Sequence, residues 1–134
     1  MSQGRVLVVD DESEVRKSVR LILSKAGYDV DEAEDPEAGV ALVKSGVSPV
    51  PLSAIITDLN MPKINEIIVI PYLLSQFPSC PIIVLSGSTK MERASNMFKK
   101  AGVEFLAKPI NQEQVLSAVK KAVSEGRSKD KVAT

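Results

Sequence analysis

Arg5-Val6-Leu7-Val8-Val9-Asp10-Asp11-Glu12-Ser13 is the stretch from which the fold is read. A short, mostly β-branched run predicts a strand over Arg5 to Val9, and it gives way without a spacer to three carboxylates. Ser13 then offers an N-cap for a helix in which Val15, Val19, Ile22 and Ala26 share one face, and Gly27 stands where a glycine ends such a helix. Strand, acidic turn and helix in direct succession form the opening of a βαβ unit.

The same alternation continues outward from that stretch. Further strands are predicted over Tyr28 to Ala33, Ala54 to Thr57, Pro81 to Leu85 and Val103 to Ala107. The second helix is capped by Asp35 with Pro36 in its first position, and its inner face is read as Ala38, Ala41 and Leu42. A loop with Gly46, Pro49 and Pro51 leads to the third strand. Met91, Ala94, Met97, Phe98 and Ala101 recur at helical spacing before Gly102. Asn111 and Gln114 open the last helix in capping-box spacing, Val115, Val119 and Ala122 form its stripe, and Gly126 is predicted to end it. The expected organisation is therefore one domain over 1–126 and a frayed polar tail over 127–134.

Composition narrows the function. The chain has 134 residues, and its 17 basic and 17 acidic side chains cancel, which argues against a broadly basic nucleic-acid surface. At this length roughly two-thirds of the unfolded surface is buried on folding, so no disulfide or structural metal is needed. The single Cys80 cannot form an internal disulfide. With no His anywhere, Ser-His-Asp triads, Cys-His pairs, HExxH zinc sites and His phospho-carriers are all excluded. The apolar runs are too short for a secretory leader or a membrane span, and Ile67 to Leu74 is interrupted by Pro71. A soluble cytoplasmic protein without membrane contact is the expectation.

The chemistry collects at strand ends. Asp10, Asp11 and Glu12 follow the first strand, Asp58 the third, Ser86 the fourth and Lys108 the fifth. In a parallel sheet those ends share one edge, beyond which ligands of open α/β sheets bind. Each residue alone has an ordinary explanation: Asp11, Glu12 and Ser13 as helix-cap chemistry, Asp58, Asn60 and Pro62 as a turn, Lys108-Pro109 as a strand exit. Together at four strand ends they point elsewhere. Crowded carboxylates repel one another unless a cation joins them, and a hard-oxygen set of this type suits Mg²⁺. One carboxylate can then attack phosphorus while a lysine and a hydroxyl hold the phosphoryl oxygens.

Val8-Val9-Asp10-Asp11-Glu12, Thr57-Asp58-Leu59-Asn60-Met61-Pro62, Val84-Leu85-Ser86-Gly87 and Phe105-Leu106-Ala107-Lys108-Pro109, in that order, resemble the receiver domain of two-component response regulators, of which single-domain chemotaxis regulators are examples. The resemblance runs from Val6 to about Ser124. It implies a flavodoxin-like, doubly wound five-stranded parallel sheet of order 2-1-3-4-5 with five helices. It implies Asp58 as phosphoacceptor, Mg²⁺ on Asp11, Asp58 and the backbone carbonyl of Asn60 with help from Asp10 through water, and Ser86 and Lys108 on the phosphoryl group. Phe105 matches the aromatic that switches with Ser86, although on its own it reads as core packing. A cis Lys108-Pro109 peptide also follows from the resemblance.

The implied function is a phosphorylation switch and not a turnover enzyme, catalysing at most its own phosphotransfer and slow dephosphorylation. A sensor histidine kinase or a histidine phosphotransfer protein would supply the phosphoryl group. An effector protein of unknown identity would read the surface around the Met91–Ala101 segment, the fifth strand and the last helix, with no direct nucleic-acid binding. The chain itself would be a monomer or weak homodimer. An aspartyl-phosphate hydrolase of the haloacid dehalogenase type would need a second Asp where Asn60 stands, and an amide cannot serve as its general acid. A flavodoxin-like FMN site is opposed by Asp10, Asp11 and Glu12, which repel an unscreened phosphate. A receiver reduced to a docking module is disfavoured because every expected site residue is present.

Departures from the family pattern occur at Glu66, where glycine is usual, at Lys63, and at Glu104-Phe105-Leu106. Charged residues are also usual at the positions of Ile68 and Pro71. Because proline lacks an N–H and its ring strikes the carbonyl four residues back, a third helix starting no earlier than Val69, or kinked there, is predicted. Ile68, and with it Tyr72 or Leu74, is expected to stay partly exposed.

Overall fold

The computed structural model describes residues 3–46, 48, 50–58, 66–86 and 103–133, and of 66, 67 and 125–133 the backbone alone. The chain alternates β1 (Arg5–Val9), α1 (Ser13–Lys25), β2 (Asp29–Ala33), α2 (Pro36–Lys44), β3 (Leu52–Asp58), α3 (Glu66–Gln76), β4 (Ile82–Ser86), β5 (Val103–Ala107) and α4 (Gln112–Ala133). All strand pairs are parallel, in the order β2-β1-β3-β4-β5. Four helices lie among the described residues; the helix expected over Met91, Ala94, Met97, Phe98 and Ala101 lies outside them. No helix among the described residues is long and apolar enough to cross a membrane.

Period-two alternation explains why the sheet is covered on both sides. Val6 and Val8 face a core layer with Val19, Leu23, Val115 and Val119 from α1 and α4, whereas Leu7 and Val9 face Val40, Val69, Ile70 and Leu73 from α2 and α3. Every residue of β1 and β4 is buried. At about 1.5–3 kcal/mol for each large apolar side chain, this double burial is the main favourable term holding the layers together.

Several ends follow local rules. Asp35 Oδ1 accepts from the Ala38 N–H at 2.8 Å with Pro36 behind it, and Asn111 Oδ1 accepts from the Gln114 N–H at 3.2 Å. Gly27, at φ +94°, closes α1: its N–H donates to the Ser24 carbonyl and that of Tyr28 to the Leu23 carbonyl, both at 3.1 Å.

Other expectations are corrected. The α1 cap is Glu12, not Ser13, and no side chain completes it; the Asp10 carboxylate instead takes the Glu12 N–H. The inner face of α2 is Pro36, Gly39 and Val40, while Ala38 and Ala41 are exposed. Gly39 lies so close to the sheet that a Cβ there would stand 3.0 Å from Leu7 Cδ2, and this approach sets the helix's phase. The third helix starts at Glu66, earlier than Val69, with Pro71 inside it. Burial of Val69, Ile70 and Leu73 outweighs the roughly 3 kcal/mol cost of an interior proline. Ile68 is 60% exposed, as expected, and Tyr72 and Leu74 are half-buried against the core. The last helix runs through Gly126 to Ala133, since one interior glycine costs only about 1 kcal/mol.

Candidate functional site

The site lies where the winding reverses. From β1 the chain passes first to β2 on one side and then to β3 on the other, so the carboxyl ends of β1 and β3 flank the crevice. Val9 pairs with Thr57, which sets Asp10 and Asp58 next to each other at the exits of the two strands. Asp58 in turn pairs with Leu85, and Ser86 with Ala107, so Ser86 and Lys108 complete the same edge.

Register thus gathers residues far apart in sequence. Carboxylate oxygens of Asp10, Asp11, Glu12 and Asp58 all lie within 4.8 Å of one another. Asp10 and Asp58 are buried, at 1% and 0% exposure, while Asp11 and Glu12 face solvent. Lys108 Nζ donates to Asp58 Oδ2 at 2.9 Å across 50 positions of sequence, and the Lys108 N–H donates to the Ser86 carbonyl at 2.9 Å. The Lys108-Pro109 peptide is cis, in agreement with the expectation. Phe105 is half-buried on β5, packed against the core layer of α2 and α3. Asn60 and its carbonyl, with Leu59, Met61, Pro62, Lys63 and Gly87, lie outside the described residues.

Among the described residues two buried side-chain oxygens have no hydrogen-bond partner, Asp10 Oδ2 and Ser86 Oγ. A buried polar atom left unmet costs about 1–3 kcal/mol, so their presence at one edge marks a place made for something other than protein. Burial, followed by the neighbouring charges of Asp58 and Glu12, pushes the Asp10 carboxyl up from 3.8 to about 6, against the opposing Glu12 N–H and Lys108. Burial alone would lower the Lys108 ammonium, but the hydrogen bond and charge of Asp58, with the charges of Asp10 and Glu12, overcome it and hold the pKa above its ordinary value. One ammonium therefore faces a surplus of carboxylates. The all-oxygen donor set and the orphaned Asp10 Oδ2 fit Mg²⁺, which binds through one or two carboxylates and keeps several waters.

One contact at this edge was not apparent from sequence. Arg16, in the first turn of α1, donates from Nη1 to the Asp10 carbonyl. The available signal was its placement, since a cation at the positive end of a helix dipole opposes the usual preference.

Comparison with known proteins agrees with this geometry. A family model described as the response regulator receiver domain matches residues 6–120. The putative NtrX-like response regulator of Rickettsia typhi is 28% identical over 124 residues, covering 91% of this chain and 25% of that protein. Transcriptional regulatory protein FixJ of Rhizobium meliloti is 30% identical over 125 residues, covering 91% of this chain and 58% of that one. The chain therefore spans only a part of the length of these relatives. Among solved structures, chemotaxis protein CheY4 of Vibrio cholerae is 29% identical with a TM-score of 0.75, over 90% of this chain and 99% of that one. NtrX from Brucella abortus, at 22% identity and a TM-score of 0.85 over 99% of this chain and 30% of that one, shares the fold.

Proposed function

The chain belongs to the response regulator receiver family of two-component systems, and on that premise we propose that Asp58 accepts a phosphoryl group from a sensor histidine kinase or histidine phosphotransfer protein. The observation that carries the reading is the Lys108 Nζ–Asp58 Oδ2 contact of 2.9 Å beside three further carboxylates and the unpartnered Ser86 Oγ.

Asp10, Asp11 and Asp58, with the Asn60 backbone carbonyl, would hold Mg²⁺. The ion supplies the positive charge that allows an anionic nucleophile to meet an anionic phosphoryl group. An oxygen of Asp58 attacks phosphorus, the phosphorus–nitrogen bond of phosphohistidine breaks, and its electron pair stays with the departing imidazole. Lys108 transfers its hydrogen bond from the free carboxylate to a phosphoryl oxygen, and Ser86 Oγ turns its proton toward another. Drawing Ser86 toward the phosphoryl group opens space for Phe105, which lies on the adjacent strand β5 opposite Val84, to move inward. The surface of β5 and α4 changes with it, and an effector protein reads that change.

The chain acts as a switch, catalysing at most its own phosphotransfer and slow dephosphorylation. It works in the cytoplasm as a monomer or weak homodimer, through protein contacts and not by binding nucleic acid itself, with 1–126 as the receiver unit and 127–134 as a polar extension.

The test uses a small phosphoryl donor, with and without Mg²⁺, and intact-mass measurement. One phosphoryl group should add in the presence of Mg²⁺ and none in Asp58→Asn. Undiminished labelling of Asp58→Asn overturns the assignment.

A further inference from the structure

Arg16 reaches the acidic turn from outside it. The fourth residue of α1, it sits where a cation opposes the helix dipole, so its place there is not explained by the helix itself. Its side chain is 14% exposed; Nη1 donates to the Asp10 carbonyl, and Nε stands 3.8 Å from Glu32 Oε1 on β2. Glu32 is also met by Arg20 Nε at 3.3 Å. On its other side, the Asp10 N–H donates to the Ala33 carbonyl at 3.1 Å. Both peptide groups flanking Asp10 are thus anchored, the first by β2 and the second by Arg16.

The Asp10 carbonyl belongs to the peptide that joins Asp10 to Asp11. Its orientation sets the direction in which both carboxylates leave the strand. We propose that Arg16 is a positioning residue for the cation site, holding that peptide against Glu32 so that Asp10 and Asp11 converge with Asp58. This deepens the reading given above and rests on it. A mere staple between α1 and β2 would need only an Arg–Glu pair, which Arg20 already forms; among the described residues the carbonyl contact is made by Arg16 alone.

Groups that orient metal ligands typically change affinity about 10–100-fold when removed. Titration calorimetry of the whole chain with Mg²⁺ should therefore show binding about 10-fold weaker in Arg16→Ala, and binding within about twofold of the parent in Arg20→Ala. With a small phosphoryl donor, the Mg²⁺ concentration for half-maximal labelling should rise by the same factor while the rate at saturating Mg²⁺ holds. General destabilisation would not separate those two quantities. If Arg16→Ala does not fold, Arg16→Lys carries the test, because a single ammonium cannot bridge the carbonyl and Glu32 as a planar fork does. It should bind roughly threefold more weakly, and parity with the parent overturns the inference. A parent that binds no Mg²⁺ refutes the site reading itself. A parent that binds, with Arg16→Ala equal to it or Arg20→Ala weakened as much, refutes the role of Arg16 alone.

Discussion

The two edges of the sheet both bury charge, and they do so in opposite ways. At the amino edge Arg5, 3% exposed, is matched by Asp31 at 2.6 Å and by the Val50 carbonyl at 3.1 Å. At the carboxyl edge Asp10 and Asp58 are buried beside Asp11 and Glu12 with Lys108 as the ammonium among them. The first edge is matched in charge, although Arg5 Nη2 has no hydrogen-bond partner among the described residues, and the second carries surplus negative charge. Since an unpaired buried charge is costly, the first arrangement serves the fold, and the second is the load that the proposed Mg²⁺ would relieve. The pair shows why burial of a charged residue is by itself no sign of function: what distinguishes the two is whether the protein supplies the partner.

Breaking the matched edge should have the largest effect on stability. Arg5→Ala removes the partner of Asp31 and the packing of the arginine stem. Asp31 keeps some contact with water, so the loss should be roughly 3 kcal/mol, less than for a wholly buried pair. Urea denaturation measures it. Mg²⁺ affinity should not change, and a parallel fall in affinity would show that the two edges are not independent.

The open edge should respond in the other direction. Asp10 is raised from 3.8 to about 6 in the fold, so the folded state holds this proton more tightly than the unfolded one. Its contribution is therefore favourable below about pH 4 and is lost as the pH rises through about 6. Above that, the ionised carboxylate strains the metal-free protein by roughly 2–3 kcal/mol. Asp10→Asn keeps an oxygen for the Glu12 N–H and removes the charge. In chelator the variant should be more stable than the parent at pH 7.5 by roughly 2–3 kcal/mol, with the gain gone near pH 4. Equal stability at both pH values would remove the claim that this edge is under electrostatic load.

The same contrast explains what could be read from sequence. The strands were legible because β-branched runs and terminal glycines are local signals, and the strand-end carboxylates, Ser86 and Lys108 were legible because a parallel sheet must bring such ends together. Contacts that depend on packing were not. Gly39 carries no side chain to mark a core face, yet it lies against the sheet so closely that a Cβ there would stand 3.0 Å from Leu7 Cδ2. Pro71 follows a correct local rule that the burial of Val69, Ile70 and Leu73 overrides. Arg16 acts on a backbone carbonyl, and residue spacing does not encode the direction of a carbonyl.

The smallest effect ties the two edges together. A cation that binds the folded chain and not the unfolded one adds stability by mass action, about 1.4 kcal/mol when free Mg²⁺ stands at ten times its dissociation constant. The parent should gain this amount. Arg5 and Asp10 are five residues apart on an extended strand, roughly 16 Å, beyond the range at which separate substitutions usually couple. Arg5→Ala should therefore keep the whole Mg²⁺ increment on its lower baseline. Asp10→Asn, stabilised without metal, should lose most of the increment at the same Mg²⁺ concentration, because the charge that strained the free edge is the charge that attracts the ion. Thermal melts of the three proteins in chelator and in Mg²⁺ read this directly. If the increment survives in Asp10→Asn and vanishes in Arg5→Ala, the edges have been assigned the wrong way round.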